Sequence, residues 1–307
     1  ESLFLDTVAV GDTSVELVNY SLDLLRTFED QVAVFASYPF SQIRRVEGGA
    51  SFARYYYRMD RYSDYYDPQT GYYVGNSKER LPTPSGFNLG QTYAAYVGDN
   101  SNFGVASPLT GHRFRFEAGQ YFGAINMTNL LGDVRKYFRA QPITFALRNM
   151  YMGRFGEDAE NGTLPPLYIG YSSLVRGYDA RTFTNQNSST QSLSINDLIG
   201  SQMYVANAEI RFPLSGPERL SAIKSGFFFS ELNLFTDGGI AWGGYEGLIT
   251  DNKGELIPRN SKFILSSGVS LRVNLFGYLI IEPFFAIPWQ NGGTSNSNFG
   301  LNFIPGW

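Results

Sequence analysis

The stretch "SKFILSSGVSLRVNLF", residues 261–276, alternates for most of its length. Phe263, Leu265, Val269, Leu271, Val273 and Leu275 fall on one face, and Ser266, Gly268, Ser270, Arg272 and Asn274 on the other. A period of two is a strand with two different sides. The pattern recurs in "SGFFFSELNLFTDGGIAW" (225–242), where Phe228, Leu232, Leu234, Ile240 and Trp242 oppose Glu231, Asn233, Asp237 and Gly239. It recurs again in "NFGLNFIPGW" (298–307), where Phe299, Leu301, Phe303, Pro305 and Trp307 oppose Asn298, Gly300 and Asn302. No run of about 18 apolar residues occurs, so no transmembrane helix is expected. Strands that are oily on one side and charged on the other leave two folds. One is a soluble antiparallel sandwich with a solvated face on each sheet. The other is a closed transmembrane β-barrel, in which neighbouring strands satisfy every backbone group, lipid covers the outside and water wets the lumen. Segment length and an aromatic content of 16%, with 21 Tyr and 25 Phe, favour the barrel.

The rest of the chain is fainter in the same pattern. Residues 13–27, 40–60, 86–101, 112–123, 127–140, 142–156, 201–213 and 277–288 also read as strands, making about eleven in all. Residues 28–38, "FEDQVAVFASY", read as a short amphipathic helix between two strands, with a strand fitting nearly as well. Short turns ("AINM", "AQP", "FG") and long polar segments (61–85, 157–200, 243–260) both occur, which is the short-turn, long-loop habit of outer-membrane barrels. Single-chain bacterial barrels have an even number of strands. The reading therefore takes the first residues as loop and expects further N-terminal strands outside residues 1–307, all of which it assigns to one outer-membrane β-barrel domain. With no cysteine, disulfides and thiolate metal sites are excluded; a net charge of −4 gives no basic footprint for nucleic acid.

Four further features carry a resemblance. They are "VRGY" (175–178), "NAEIRFPL" (207–214), "FTDGG" (235–239), and an aromatic end at Trp307 about three strands later; "SPLTGHRFR" (107–115) adds a Pro-x-x-Gly-x-Arg turn. In that order and spacing, over residues 86–307, they resemble the barrel of the BamA-like insertase and two-partner-secretion translocator superfamily, also called the bacterial surface antigen family. The resemblance implies an all-β transmembrane barrel of about sixteen strands, of which this chain supplies about the last eleven. It implies residence in the bacterial outer membrane, and a role in assembling, inserting or translocating other proteins or in anchoring a periplasmic module. It further implies that the loop carrying Arg176 folds back into the lumen, where Arg176 pairs with Glu209 and Asp237. The alternation independently points both carboxylates inward. A guanidinium offers a planar fork that two carboxylates can share, Gly177 permits a left-handed backbone at a loop tip, and Tyr178 is expected to pack on the lumen wall. Phe303 and Trp307 are the expected assembly signal, with Pro305 interrupting the last strand. Expected partners are lipids and lipopolysaccharide, a periplasmic domain or partner chains, and client outer-membrane proteins. A structural accessory barrel, or a pore or receptor, are the alternatives.

Nothing in the sequence reads as enzyme chemistry. His112, the sole histidine, begins a strand beside Arg113 and has no nucleophile in its vicinity. Asp60, Asp64 and Asp67 miss the spacing of a calcium loop. No cofactor or metal is expected.

Overall fold

The computed structural model describes residues 2–10, 13–161, 164–178, 193–243, 261–290 and 293–305. Strand dominates, in twelve main segments: β1 (Ser2–Val10), β2 (Thr13–Ser41), β3 (Arg44–Tyr66), β4 (Phe87–Asp99), β5 (Pro108–Gly123), β6 (Met127–Ala140), β7 (Ile143–Phe155), β8 (Gln202–Gly216), β9 (Phe229–Trp242), β10 (Ile264–Leu275), β11 (Leu279–Pro288) and β12 (Asn298–Pro305). The chain divides into two compact units, residues 1–34 with 50–91, and residues 35–49 with 92–307.

The first unit corrects three expectations. Residues 2–10, read as loop, form β1, which pairs antiparallel with β2 from Ser2↔Ser21 to Val10↔Thr13. Residues 28–38 are no helix but part of the 29-residue β2. The polar segment 61–85 is largely strand: Tyr73–Leu81 pairs with the end of β3 from Met59↔Leu81 to Tyr66↔Tyr73. Asp67 makes that hairpin possible. Its Oδ1 accepts from the backbone N–H groups of Gln69 and Thr70 (both 2.8 Å), and Gly71 supplies the left-handed residue at φ 68°. Ion pairs join β2 to β3. Arg61 forks onto Asp23 (2.6 and 2.7 Å), and the buried carboxylate of Asp60 takes Arg26 at 2.7 Å.

In the second unit, β4 to β12 lie in sequence order as an antiparallel meander. Direct cross-strand pairing aligns Phe138↔Phe145, Phe145↔Ile210, Ile210↔Leu234, Leu234↔Val269, Val269↔Phe285 and Phe285↔Phe299. All seven are at least partly exposed, and Leu234 keeps 51% of its surface. An apolar row across seven strands has no protein cover; hydrocarbon is the solvent that suits it. The opposite face buries charge: Glu209, Arg211, Glu231, Asp237, Arg272 and Glu282 are each at most 8% exposed. This is the distribution expected of a barrel wall with a filled, polar interior.

Pro283 interrupts the sheet once. The β10–β11 ladder pairs Ser270↔Phe284 and resumes at Val273↔Ile281, with no pair at the residues between. On its other side Pro283 pairs with Leu301. Proline has no N–H to donate, so a ladder weakens at its position. Pro305, expected to interrupt the last strand, instead ends β12 opposite Leu279.

The lipid-facing row yields a direct check. Leu234→Arg puts a charge near the middle of that belt and is expected to lower the unfolding free energy in phospholipid vesicles by about 2–4 kcal/mol. A loss below about 0.5 kcal/mol, the usual size for a water-exposed position, would place that face in water.

Candidate functional site

The segment Tyr171–Tyr178 comes from the long connection between β7 and β8. It begins as one helical turn, with the Leu174 and Val175 N–H groups donating to the Tyr171 carbonyl (2.8 and 3.0 Å). Two glycines let it approach the wall. Gly177 has φ 97°, and a Cβ there would sit 3.1 Å from the Ala286 Cβ. A Cβ on Gly239 would sit 3.2 Å from Val175 Cγ2. Val175 and Tyr178 are fully buried, in an apolar cluster with Ile169, Leu198, Val205, Ala241 and Ile264.

Arg176 lies at the apex. Its Nε donates to Asp237 Oδ2 (2.7 Å), and its Nη2 to Asp237 Oδ1 and Glu209 Oε1 (both 2.9 Å). Its Nη1 donates to Glu282 Oε1 (3.2 Å), and its backbone N–H reaches Asp237 Oδ2 as well (3.2 Å). The guanidinium carbon stacks 3.6 Å from the centre of the buried Phe235 ring. One side chain is thus held by β8, β9 and β11 at once, in the charge-assisted geometry that is strongest for arginine.

The rest of the loop is fastened around it. The Tyr178 hydroxyl lies 2.7 Å from both the Leu265 carbonyl and Gln290 Oε1, and accepts from the Gln290 N–H (3.2 Å). Asn207 donates to the Leu174 carbonyl (2.7 Å), Asn298 to the Gly177 carbonyl (3.2 Å), and Ser172 to Asn302 Oδ1 (2.6 Å). Every strand from β8 to β12 therefore touches this loop.

The structure brings together all five residues placed here from sequence: Arg176, Gly177, Tyr178, Glu209 and Asp237. Glu209 and Asp237 are diagonal rather than opposite, since Asn207 faces Asp237 and Glu209 faces Phe235. Sequence reasoning missed Glu282, Phe235 and Arg211. The signal for Glu282 was a carboxylate between Ile280 and Phe284 on one face of an otherwise apolar strand. Arg272, placed on the polar face, proves to bind Glu209 (2.9 Å) and Glu282 (3.1 Å). Of the aromatic ending, Phe303 is exposed on the outer face, and Trp307 lies outside the described residues. Beside the arginine is a cavity of about 370 Å³ lined by Arg135, Arg148, Arg211, Ser172 and Asn302 among others. His112 stacks on Phe114 at 6.1 Å. The Asp60 carboxylate is occupied by Arg26 and Arg58. Among the described residues no acid or histidine cluster is shaped for a metal ion.

Removing the arginine takes from buried Asp237 the one cation it has among the described residues, and takes one of several from Glu209 and Glu282. Arg176→Ala is therefore expected to cost about 3–5 kcal/mol in unfolding free energy, measured by urea titration in detergent. Arg176→Lys should recover only part of this, because an ammonium cannot fork onto Asp237 while reaching Glu209 and Glu282. Full recovery by lysine would contradict the geometry.

The sequence profile of the Omp85 superfamily domain matches residues 19–306. Among solved structures, the chain is similar to BamA from Haemophilus ducreyi lacking POTRA domains 1–3, with a TM-score of 0.50 and 12% identity over 98% of this chain and 63% of that one. It is also similar to CdiB from Acinetobacter baumannii, with a TM-score of 0.44 and 12% identity over 99% of this chain and 59% of that one. The chain thus spans less than two thirds of either protein. No curated protein matches.

Proposed function

The chain belongs to the Omp85 superfamily, and we propose that it assembles, inserts or translocates other outer-membrane proteins through a lumen held shut at rest by the Arg176 loop. Its fold is the transmembrane antiparallel β-barrel of that superfamily, and its place is the bacterial outer membrane.

The observation that carries the reading is the single buried guanidinium shared by carboxylates of three strands. An ion pair of this kind is weak as a source of net stability but strong as a device that fixes one arrangement, because removing one partner leaves the others uncompensated. A permanently open pore gains nothing from it. A passage that must stay sealed until a client arrives does. The same contacts hold the loop to β11 and β12. Within the second unit, β12 pairs on one side only, with β11, among the described residues. Outward Phe303 belongs to this last strand and is assigned, with Trp307, to recognition during assembly. Lipid and lipopolysaccharide outside, and a periplasmic domain or partner chains and client outer-membrane proteins, are the partners this role requires.

The test uses the full-length protein. Depleting it should lower the folded amounts of other outer-membrane proteins or of a secreted partner, read by quantitative proteomics of isolated outer membranes and medium. Arg176→Ala should raise conductance in planar bilayers and speed protease cleavage near Ser172–Leu174. Unchanged levels of all other outer-membrane and secreted proteins on depletion would remove the assembly and transport role. Unchanged conductance and cleavage would remove the latch.

A further inference from the structure

The connection between β4 and β5 is unlike the other short turns at its end of the sheet. In those after β2, β6 and β10, Gln42, Ile43, Gln141, Phe276 and Gly277 are all exposed. In the turn after β4, Val105, Ala106 and Ser107 are only 3–4% exposed. The segment folds back on a tight bend, with the Gly104 N–H donating to the Ser107 carbonyl at 2.9 Å. Three strands then hold it. Ser107 Oγ lies 2.7 and 2.8 Å from the two carboxylate oxygens of Glu231 on β9. Asn274 on β10 donates to the Val105 carbonyl (3.0 Å), and Arg211 on β8 donates to the Pro108 carbonyl (3.3 Å). Val105 lies so close to β8 that a Cβ on Gly216 would come 3.1 Å from its Cγ1.

The residues that grip this turn also belong to the Arg176 cluster. Arg211 donates to Glu209 Oε2 through Nε (2.8 Å) while its Nη1 holds the Pro108 carbonyl. Arg272 holds Glu209 through Nη2 (2.9 Å) and faces Glu231 through Nη1 (3.7 Å). Two continuous links therefore join the loop tip to the turn, one through Glu209 and Arg211, the other through Glu209, Arg272 and Glu231. Connections after β4 and after β7 leave opposite ends of a meander, so the two segments enter from opposite mouths.

We infer that Gly104–Pro108 is a second plug, seated at the mouth opposite the Arg176 loop, and that release of either segment loosens the other through Glu209, Arg211 and Arg272. The inference rests on the latch reading above. With Arg176 present, three guanidinium groups among the described residues serve four carboxylates, Glu209, Glu231, Asp237 and Glu282. When Arg176 withdraws, two remain for the same four. Arg211 and Arg272 are then drawn towards the acids it vacated and away from the Pro108 carbonyl and Glu231. Linkage makes the effect reciprocal: freeing Ser107 from Glu231 leaves Arg272 more engaged there and less with Glu209 and Glu282.

The experiment reads two buried positions separately, on a cysteine-free full-length protein in outer-membrane fragments open on both sides. Val175→Cys reports the loop and Ala106→Cys reports the turn, each by its rate of reaction with a soluble maleimide. Arg176→Ala should speed labelling at both positions, by about fivefold or more at position 106. Ser107→Ala, which leaves Arg176 in place, should speed labelling at position 175. Faster labelling at 175 but unchanged labelling at 106 in Arg176→Ala overturns the coupling and leaves the latch standing. No change at either position removes the latch and the coupling with it. Should Arg176→Ala fail to reach the membrane folded, unchanged labelling at 175 in Ser107→Ala overturns the coupling by itself.

Discussion

A guanidinium with carboxylates on three sides and an aromatic ring beneath it sets the terms for everything else inside this protein. Asp237, Glu209 and Glu282 come from three different strands, and all are buried. Left alone they would repel one another in a setting that screens charge poorly. Arg176 makes their proximity tolerable, and their proximity in turn gives the loop one seat. The apolar contacts of Val175 and Tyr178 hold the loop against the wall, but such contacts are non-directional. The forked pairing supplies the registry. Phe235 adds a flat surface under the guanidinium, 3.6 Å from its carbon to the ring centre.

The arrangement also explains why the polar face can be so highly charged without being wet throughout. Arg211 and Arg272 spread the compensation along the strands, from Glu209 to Glu231 and Glu282. Ser270 adds a neutral donor to Glu282 at 2.8 Å, and Ser107 does the same for Glu231. Networks of this type are specific when complete and expensive when broken. The outer face works by a different rule. It is mainly a continuous apolar row, which direct pairing from Phe138 to Phe299 provides.

How much of this could be read from the chain depended on which solvent each residue meets. Strands β9, β10 and β12 were legible because lipid on one side and a polar interior on the other impose a period of two; β8 and β11 were fainter in the same pattern. The end of β2 was not legible, since its apolar residues, Val32, Val34, Phe35, Tyr38 and Phe40, do not keep to one side; nor was the hairpin at Tyr73–Leu81, whose "GNSKER" carries no alternation. Asp237 and Glu209 were found because a family-like motif and the alternation agreed on their direction. Glu282 went unnoticed in "IIEPFF", where apolar neighbours hide it. Its partners follow from the register of β9, β10 and β11 together, which no single segment encodes. Of the buried turn at Val105–Ser107, only Ser107 belonged to the motif at 107–115 read as a turn into a strand; that the turn folds inward depends on Glu231 and Asn274, over a hundred residues away.

Pro283 sits one residue from Glu282, where the ladder between β10 and β11 lapses while the ladder between β11 and β12 runs on. The last two strands are therefore joined to each other more continuously than to the rest of the wall at that height. A sideways pull on them meets little backbone resistance there and is opposed instead by Glu282's grip on Arg176 and Arg272. Side chains, not main chain, are what give this stretch of wall its tensile strength, so loosening the loop and letting the wall flex become a single mechanical event.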